Sequence, residues 1–337
     1  MYEWLGICLA LSALLTLNTA VSLFTATIWR LLQSRAQSWS AAKRAQWLFT
    51  LRIFPGLAAI ICVVAFLVPA YITHEPRHKT EAVTAKLAAL AAISAVGLLL
   101  AVWRGLGAWL ATRKLVKDWL GNSETINPGQ TNLLTAIPAY RLRHQFPVIA
   151  VVGAFRPRLF IADHLFDSLT PEEMNAAIAH ECGHLAARDN LKRTLLRVCR
   201  DVLTIVPCGR LLDREWAEAS EAAADEFAAR NGSQPALNLA AALVKIARMV
   251  PAGFSPGFSA KTVGALLIGE NIVGITGRVE RLIRLASATD SDRIASTAIP
   301  NSLWLAFGVL LATVIVATNS SLLSIHQLIE VIVSTLQ

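Results

Sequence analysis

Two histidines one helical turn apart are the residues of this chain best suited to chemistry. They belong to His180-Glu181-Cys182-Gly183-His184, in which a carboxylate follows the first imidazole. Residues i and i+4 share one face of a helix, so both rings can reach one tetrahedral metal ion. Glu181 then lies where it can take a proton from a metal-activated water, which is typical of zinc peptidases. The alternative for so short a motif is a chance match, with two polar helix residues bonded to their neighbours.

The residues before this motif predict the helix that it requires. Thr170 can cap the first free amides, Pro171 suits the first helical position, and Glu173 completes a capping box. Several of the following positions are apolar, among them Met174, Ala177 and Ile178. We therefore predict a buried helix that presents both histidines to a cleft.

An alanine-rich segment at residues 218–227 supplies the best candidate for a third metal ligand. Its residues Glu221 and Asp225 share one helical face, and its small alanines permit close packing against the histidine helix. We predict that Glu221 closes the metal site and that Asp225 accepts the free N–H of a ligand histidine, which holds the ring in place. A solvated acidic helix is the alternative, because other glutamates lie close by, at Glu215, Glu218 and Glu226.

At these positions the chain resembles the BlaR/MecR-type membrane metallopeptidases, the antirepressors of β-lactam resistance. The matching motifs are Phe155–Ile161, Leu169–Glu173, His180–His184, Asp189-Asn190, Pro207 and Glu221–Asp225. The prenyl-protease and heat-shock membrane proteases share the Glu-x-x-x-Asp element and are the nearest competing assignment.

This resemblance implies an α+β, gluzincin-like zinc peptidase domain. It implies that His180, His184 and Glu221 bind Zn²⁺ and that Glu181 is the catalytic base. Asp189 matches a recurrent aspartate of the family, which we interpret as structural. The basic helix at residues 278–285 resembles an arginine-bearing helix of the family, and it either orders the active site or rests on anionic lipid.

The composition indicates an α-helical integral membrane protein with four transmembrane helices. Apolar residues make up 55% of the chain and charged residues 16%. Four apolar blocks approach the roughly 20 residues that a helix needs to cross a bilayer. They run over residues 4–29, 53–72, 87–103 and 303–323.

Basic residues at the ends of these blocks predict the orientation. Arg30, Arg35, Lys43 and Arg44 follow the first block, and Arg104, Arg113, Lys114 and Lys117 follow the third. Because cytoplasmic connections carry an excess of Lys and Arg, we expect both connections inside and both termini outside a bacterial-type inner (plasma) membrane. The first block is too long for a signal peptide and is interpreted as a retained anchor.

The predicted organisation follows from these spans. Residues 1–103 form a membrane region with three helices, and residues 104–301 form the cytoplasmic peptidase domain. The fourth span occupies 302–323, and residues 324–337 form a short amphipathic tail outside. We expect no fused antibiotic-sensing domain, so a signal comes from a separate sensor protein, from the lipid bilayer or from the loop at residues 73–82.

Within the domain, residues 148–152 and 159–162 are β-rich runs that predict a hairpin. One of its strands is either an exposed edge that pairs with substrate or a strand that only packs on the histidine helix. The oxyanion of the reaction could be stabilised by His144, His164 or Tyr140, among which the sequence does not choose. Residues 251–277 are rich in glycine and proline and suggest an irregular loop.

The five cysteines show no paired metal spacing and are expected to be reduced. Cys182 points away from the histidine face, and we interpret it as a packing residue. The net charge of +8 is attributed to loops near lipid, since no motif supports direct binding of nucleic acid.

The function that these features predict is a zinc endopeptidase that cleaves a cytoplasmic protein, with a transcriptional repressor in a signalling pathway as the substrate suggested by the resemblance. Two alternatives stay open. One is a protease for quality control of membrane proteins, and the other is a catalytically silent signal transducer.

Overall fold

The computed structural model describes residues 2–75, 83–126, 137–199, 209–230, 232–250, 273–287 and 327. This part of the chain is mostly helical, with long apolar helices first and a small sheet surrounded by shorter helices afterwards. Three of its helices are long and apolar enough to cross a membrane: Tyr2–Ala36, Ala41–His74 and Ala85–Gly121.

The first two long helices form a hairpin. Helix α1 spans Tyr2–Ala36, and α2 spans Ala41–Cys62 with Ser40 as its cap. A π-helical turn, Val63–Leu67, joins α2 to α3, Val68–His74. Pro69 follows this turn directly, and the amide of Val68 bonds to the carbonyl of Val63, five residues back. The wider turn rearranges the backbone bonds at the point where a proline has no N–H to offer.

Helix α4, Ala85–Gly121, is much longer than the predicted third span at residues 87–103. It continues past residue 103, the predicted end of the membrane region, and reaches the residues predicted to form the domain. There Trp119 is 9% exposed and packs edge-on against Phe160 of the sheet, with ring centroids 5.2 Å apart. One helix therefore runs without a break from the third candidate membrane span to the sheet. The predicted fourth span and the tail lie outside the described residues, apart from residue 327.

Within the described residues, the sheet has four strands in the order β1-β2-β4-β3. Its strands are β1 Ser123–Thr125, β2 Ala139–Leu142, β3 Ile149–Val152 and β4 Arg158–Ala162. Strands β3 and β4 are antiparallel, with Val151 opposite Leu159, which confirms the predicted hairpin. Strand β2 runs parallel to β4 and places β3 at one edge of the sheet.

Helix α6, Pro171–Ala186, follows the short helix α5, Leu165–Ser168, and confirms the predicted helix start. Thr170 accepts a bond from the Glu173 amide at 3.3 Å, and Glu173 accepts one from the Thr170 amide at 2.8 Å. Lys245 then pairs with Glu173 at 2.7 Å. This capping box fixes where the helix begins and therefore which face carries the histidines.

Four further helices in the described part of the chain lie around α6 and the sheet. They are α7 Asp189–Val198, α8 Gly209–Ala228, α9 Ser233–Met249 and α10 Val273–Ser287. The predicted basic helix at 278–285 thus begins earlier, at Val273, so the last residues of the predicted loop are helical, and the rest of that loop lies outside the described residues. The main core is formed by the sheet with α6 and α9, and its fully buried members include Phe160, Ile178, Leu239 and Leu243.

A glycine sets the distance between the two helices that carry the candidate site. A Cβ atom at Gly183 of α6 would lie 3.0 Å from Cα of Ala224 and 3.1 Å from Cβ of Phe227, both on α8. The predicted close approach of the alanine-rich helix is therefore confirmed. It requires a residue without a side chain at this point of α6.

Gly183→Ala is expected to force the two helices apart and to destabilise the fold by about 1–3 kcal/mol, the usual cost of overpacking. Thermal unfolding measures this change. Gly277→Ala in α10 is the control, because nothing lies within 4 Å of a Cβ atom there. Equal melting temperatures for the two variants would contradict the proposed close contact.

Candidate metal centre

Helix α6 places His180 and His184 on one face. Their ring centroids are 4.9 Å apart and the ring planes are almost perpendicular, at 89°. His180 is fully buried and His184 is 7% exposed. The i, i+4 spacing thus brings two imidazoles together within the protein rather than on its surface, as the helical pattern predicted.

Helix α8 brings Glu221 against both rings. Its Oε1 lies 3.4 Å from Nε2 of His184, and its Oε2 lies 3.6 Å from Nε2 of His180. One ligand atom from each of the three residues lies within 4.8 Å of the others. Zinc bonds of about 2.0–2.1 Å in a tetrahedron would place ligand atoms roughly 3.3 Å apart. The cluster therefore has the dimensions of a three-ligand zinc site.

The donor set also fits zinc chemically. Two imidazole nitrogens and one carboxylate are common zinc ligands. Oε2 of Glu221 is buried and makes no hydrogen bond within the described residues, although Nη1 of Arg278 lies 3.2 Å away. A buried carboxylate oxygen that faces an imidazole without a hydrogen bond is suited to binding a cation. We conclude that this cluster could hold zinc.

The other ring nitrogen of each histidine contacts an aspartate. Nδ1 of His180 lies 3.0 Å from Oδ1 of Asp225, and Nδ1 of His184 lies 2.8 Å from Oδ2 of Asp189. An Nδ1–H that donates to a carboxylate leaves Nε2 with its lone pair directed at a metal. Asp225 thus contacts one candidate ligand histidine and Asp189 contacts the other.

Asp189, which we interpreted as structural, contacts a candidate ligand histidine directly. It accepts a hydrogen bond from Ser220 of α8 at 2.6 Å as well as contacting His184. Burial alone would raise the pKa of Asp189, but the hydrogen bond and charge of His184 hold it below its usual value. The only sequence signal was the resemblance, since a helix start shortly after the motif does not reveal a contact back to His184.

Asp189→Asn is expected to weaken zinc binding about 10- to 100-fold, the usual effect of losing a carboxylate partner of a ligand histidine. An amide can present its NH₂ group to Nδ1, which favours the wrong tautomer of His184. Competition with a chromophoric chelator measures the affinity. Asp167→Asn, at an exposed position of α5, is the control. Unchanged zinc affinity in the Asp189 variant would remove this role.

The carboxylates of the site stabilise positive charge beside them. Burial disfavours protonation of His184, but the charge of Glu221 and the bonds to Asp189 and Glu221 raise its pKa to about 9. Burial opposes ionisation of Glu221, yet the nearby His184, His180 and Arg278 hold its pKa well below its usual value. The negative charge of Asp189 and Glu221 that favours a proton on His184 also favours a metal cation bound between His184 and Glu221.

Glu181, the predicted base, is almost fully buried beside the hairpin. Its Oε2 accepts a hydrogen bond from the Val151 amide of β3 at 2.9 Å. Burial raises the pKa of Glu181, against the opposing influence of His184, His180 and this backbone bond. The edge strand therefore orients the carboxylate next to the two histidines.

Strand β3 is only partly available as an edge. The Val151 amide bonds to Glu181, and the Val151 carbonyl accepts a bond from Asn190 at 2.7 Å. All four residues of the strand are buried. Of the two alternatives for the hairpin, the structure favours at Val151 a strand that packs on the histidine helix, because two side chains already occupy the backbone groups that face away from the sheet.

Three arginines surround the carboxylates. Arg278 of α10 contacts Asp225 at 2.7 Å and Glu221 at 3.2 Å, and Arg281 contacts Asp225 at 2.8 Å. Arg193 of α7 contacts Glu221 at 2.9 Å. Of the two roles predicted for the basic helix, the structure supports ordering of the site. Arg193 was missed, because its partner is distant in the sequence.

Two of the three candidates for oxyanion stabilisation make side-chain contacts elsewhere. Tyr140 stacks on Phe160 within the sheet, with ring centroids 5.3 Å apart. His144 accepts a hydrogen bond from the Phe146 amide at 3.0 Å, and His164 precedes helix α5. Cys182 packs against the main core, as predicted, and burial raises the pKa of its thiol.

A protein-family model matches part of the chain. No curated protein matches the chain. Residues 150–297 match the model of peptidase family M48, a stretch that includes the histidine motif, Glu221, Asp225 and Arg278. The match supports a metallopeptidase but does not reach the narrower BlaR/MecR assignment. Residues 150–297 are thus similar to peptidase family M48, and three helices that are long and apolar enough to cross a membrane begin before this stretch.

Proposed function

We propose that this protein is a membrane-embedded zinc endopeptidase of the gluzincin type, with His180, His184 and Glu221 as its zinc ligands. The observation that carries the proposal is the convergence of two Nε2 atoms and one carboxylate, while both Nδ1 atoms contact aspartates. A helix pair that only packs has no need of such an arrangement. The M48 match supports the same reaction class.

Glu181 is the proposed catalytic base. Bound zinc would supply a Lewis acid that makes water a strong nucleophile at neutral pH. Glu181 then takes a proton from the attacking water and delivers it to the amine of the departing peptide. The hydrogen bond from the Val151 amide holds one oxygen of this carboxylate in place.

Asp225 is the proposed orienting partner of His180. It also accepts bonds from Arg278 and Arg281, which hold it ionised and in place. Burial would raise the pKa of Asp225, but Arg278 and His180 hold it far below its usual value. An ionised carboxylate at this position keeps the proton of His180 on Nδ1.

The proposed setting is a bacterial-type inner membrane with the peptidase domain in the cytoplasm and both termini outside. Three candidate spans support an embedded protein, and the basic residues between α1 and α2 support the orientation. The substrate is then a cytoplasmic protein. The antirepressor resemblance makes a transcriptional repressor our candidate, with the activating signal supplied by a separate sensor protein.

Zinc analysis of the purified full chain tests the proposal. We expect about one zinc per chain and cleavage of an unfolded protein such as casein that stops with a chelator and returns with zinc. Absence of zinc from material that is folded by circular dichroism would refute the metal site. Full zinc content without cleavage of casein or of membrane-fraction proteins would favour a silent transducer.

A further inference from the structure

Two faces of helix α8 make different contacts. One face carries Glu221 and Asp225, and another packs on the ends of α1 and α2 that lie close to their connection. Leu212, Trp216 and Ala219 of α8 form an apolar cluster with residues of those helices, including Trp29, Leu48 and Leu51. The helix that carries the candidate ligand thus rests directly on two of the candidate membrane spans.

Glu215 of α8 is held by both membrane helices. The residue is 6% exposed. Its Oε1 accepts a hydrogen bond from Nε2 of Gln33 on α1 at 2.9 Å, and its Oε2 accepts one from Nη2 of Arg44 on α2 at 2.8 Å. Each carboxylate oxygen therefore has a partner from a different helix.

Arg52 of α2 makes a second buried link. It is 7% exposed, and its Nε donates to Asp213 of α8 at 2.9 Å. Its Nη2 donates to the carbonyl of Cys199 at 3.1 Å, just after α7. A Cβ atom at Gly209 would lie 2.7 Å from this guanidinium, so the first residue of α8 leaves room for it. Arg52 thus connects α2 with both helices that flank the site.

A third link joins the start of α2 to the C-terminal part of α8. The amide of Ala41, the first residue of α2, donates to Oε1 of Glu226 at 3.2 Å. Glu226 directly follows Asp225 in the chain. Polar links to the membrane helices are therefore found at both ends of the stretch of α8 that holds Glu221.

We propose that Gln33, Arg44 and Arg52 are positioning residues that set the register of α8 and thereby the place of Glu221 in the metal site. The inference rests on the proposed zinc site. A buried charge that loses its partner is costly, so the buried Glu215 and Arg52 confine α8 to the register in which both are paired. Glu215 and Glu221 lie about 9 Å apart along one helix at 1.5 Å per residue, a short and stiff connection.

Zinc affinity should therefore depend on Gln33, Arg44 and Arg52, although no contact between these side chains and a candidate metal ligand is found among the described residues. Arg44→Met removes the partner of one Glu215 oxygen, and Arg52→Met removes the bond between α2 and Asp213. Both variants are expected to bind zinc about tenfold more weakly or worse, as for other changes to groups that hold a ligand in place.

The test uses the full chain in detergent micelles, with zinc affinity measured by competition with a chromophoric chelator. Lys43→Met is the matched control, because it removes a positive charge next to Arg44 from a side chain whose ammonium lies over Trp39. It should bind zinc as the wild type does. Arg44→Lys should recover most of the affinity, since an ammonium can still reach Glu215.

The outcomes are distinguishable. Weakened affinity in Arg44→Met and Arg52→Met, with recovery in Arg44→Lys, supports the inference. Wild-type affinity in both methionine variants overturns it while leaving the zinc site intact. If the wild type itself binds no zinc, the proposed function fails instead. Should the arginine variants not fold, Gln33→Ala removes one hydrogen bond only, and its zinc affinity then decides, with a wild-type value overturning the inference.

Discussion

Glu181→Gln is expected to abolish peptide hydrolysis while the bound zinc stays. A glutamine cannot accept the proton of the attacking water, so we expect the rate to fall about 10²- to 10⁴-fold, the usual contribution of a positioned base. Its side-chain carbonyl can still accept the hydrogen bond from the Val151 amide, which preserves the local structure. Zinc content and the rate of casein cleavage, measured on the same preparation, test both parts.

Glu172→Gln is the matched control, because Glu172 is exposed in the first turn of the same helix. It should cleave at the wild-type rate. A Glu181→Gln variant that retains zinc and cleaves normally would show that Glu181 is not the base. An inactive variant that has also lost its zinc would instead assign Glu181 a part in metal binding.

The inactive Glu181→Gln variant also serves to find the substrate. A peptidase that binds but does not cleave retains its substrates, and mass spectrometry of proteins captured in cells identifies them. Capture of a transcriptional repressor would support the signalling role, whereas a broad set of damaged membrane proteins would favour quality control and contradict it.

Glu221→Ala should remove zinc from the protein. The substitution takes away one of three ligands and leaves Arg193 and Arg278 beside the histidines without the carboxylate that they share. Positive charges that were neutralised by Glu221 then repel a divalent cation. We expect zinc affinity to fall by more than about 100-fold, beyond the range found for changes to groups that only orient ligands.

Glu218→Ala controls for the loss of a carboxylate from the same helix, because Glu218 is exposed. It should retain zinc, cleavage and helical content. Chelator competition gives the affinity of both variants, and circular dichroism verifies that the Glu221 variant is folded. Stoichiometric zinc in folded Glu221→Ala would mean that another group supplies the third ligand.

Local patterns were enough to predict much of the fold. The capping box at Thr170, the i, i+4 histidines and the β3–β4 hairpin depend on residues close in sequence, and the structure contains each of them. Apolar length likewise predicted the first three long helices. Backbone periodicity and bilayer thickness constrain such features without reference to distant residues.

Helix ends were less predictable where distant residues decide them. Helix α4 continues to Gly121 because Trp119 finds a buried place against Phe160, which hydropathy cannot reveal. The sequence left open whether a strand of the hairpin has a free edge, and at Val151 its backbone groups are bonded to Glu181 and Asn190. In both cases a contact between separate segments decides what the local pattern does not.

The sequence by itself determined the chemistry that is available: two histidines on one helical face, a carboxylate beside them and two acidic residues on a second helix. Only the tertiary structure decided which groups meet. It brought Asp189 to His184, Arg193 to Glu221, and Arg44 and Arg52 to the far face of α8. The physical reason is that spacing along a chain sets which side chains share a face, whereas the packing of whole helices sets what that face contacts.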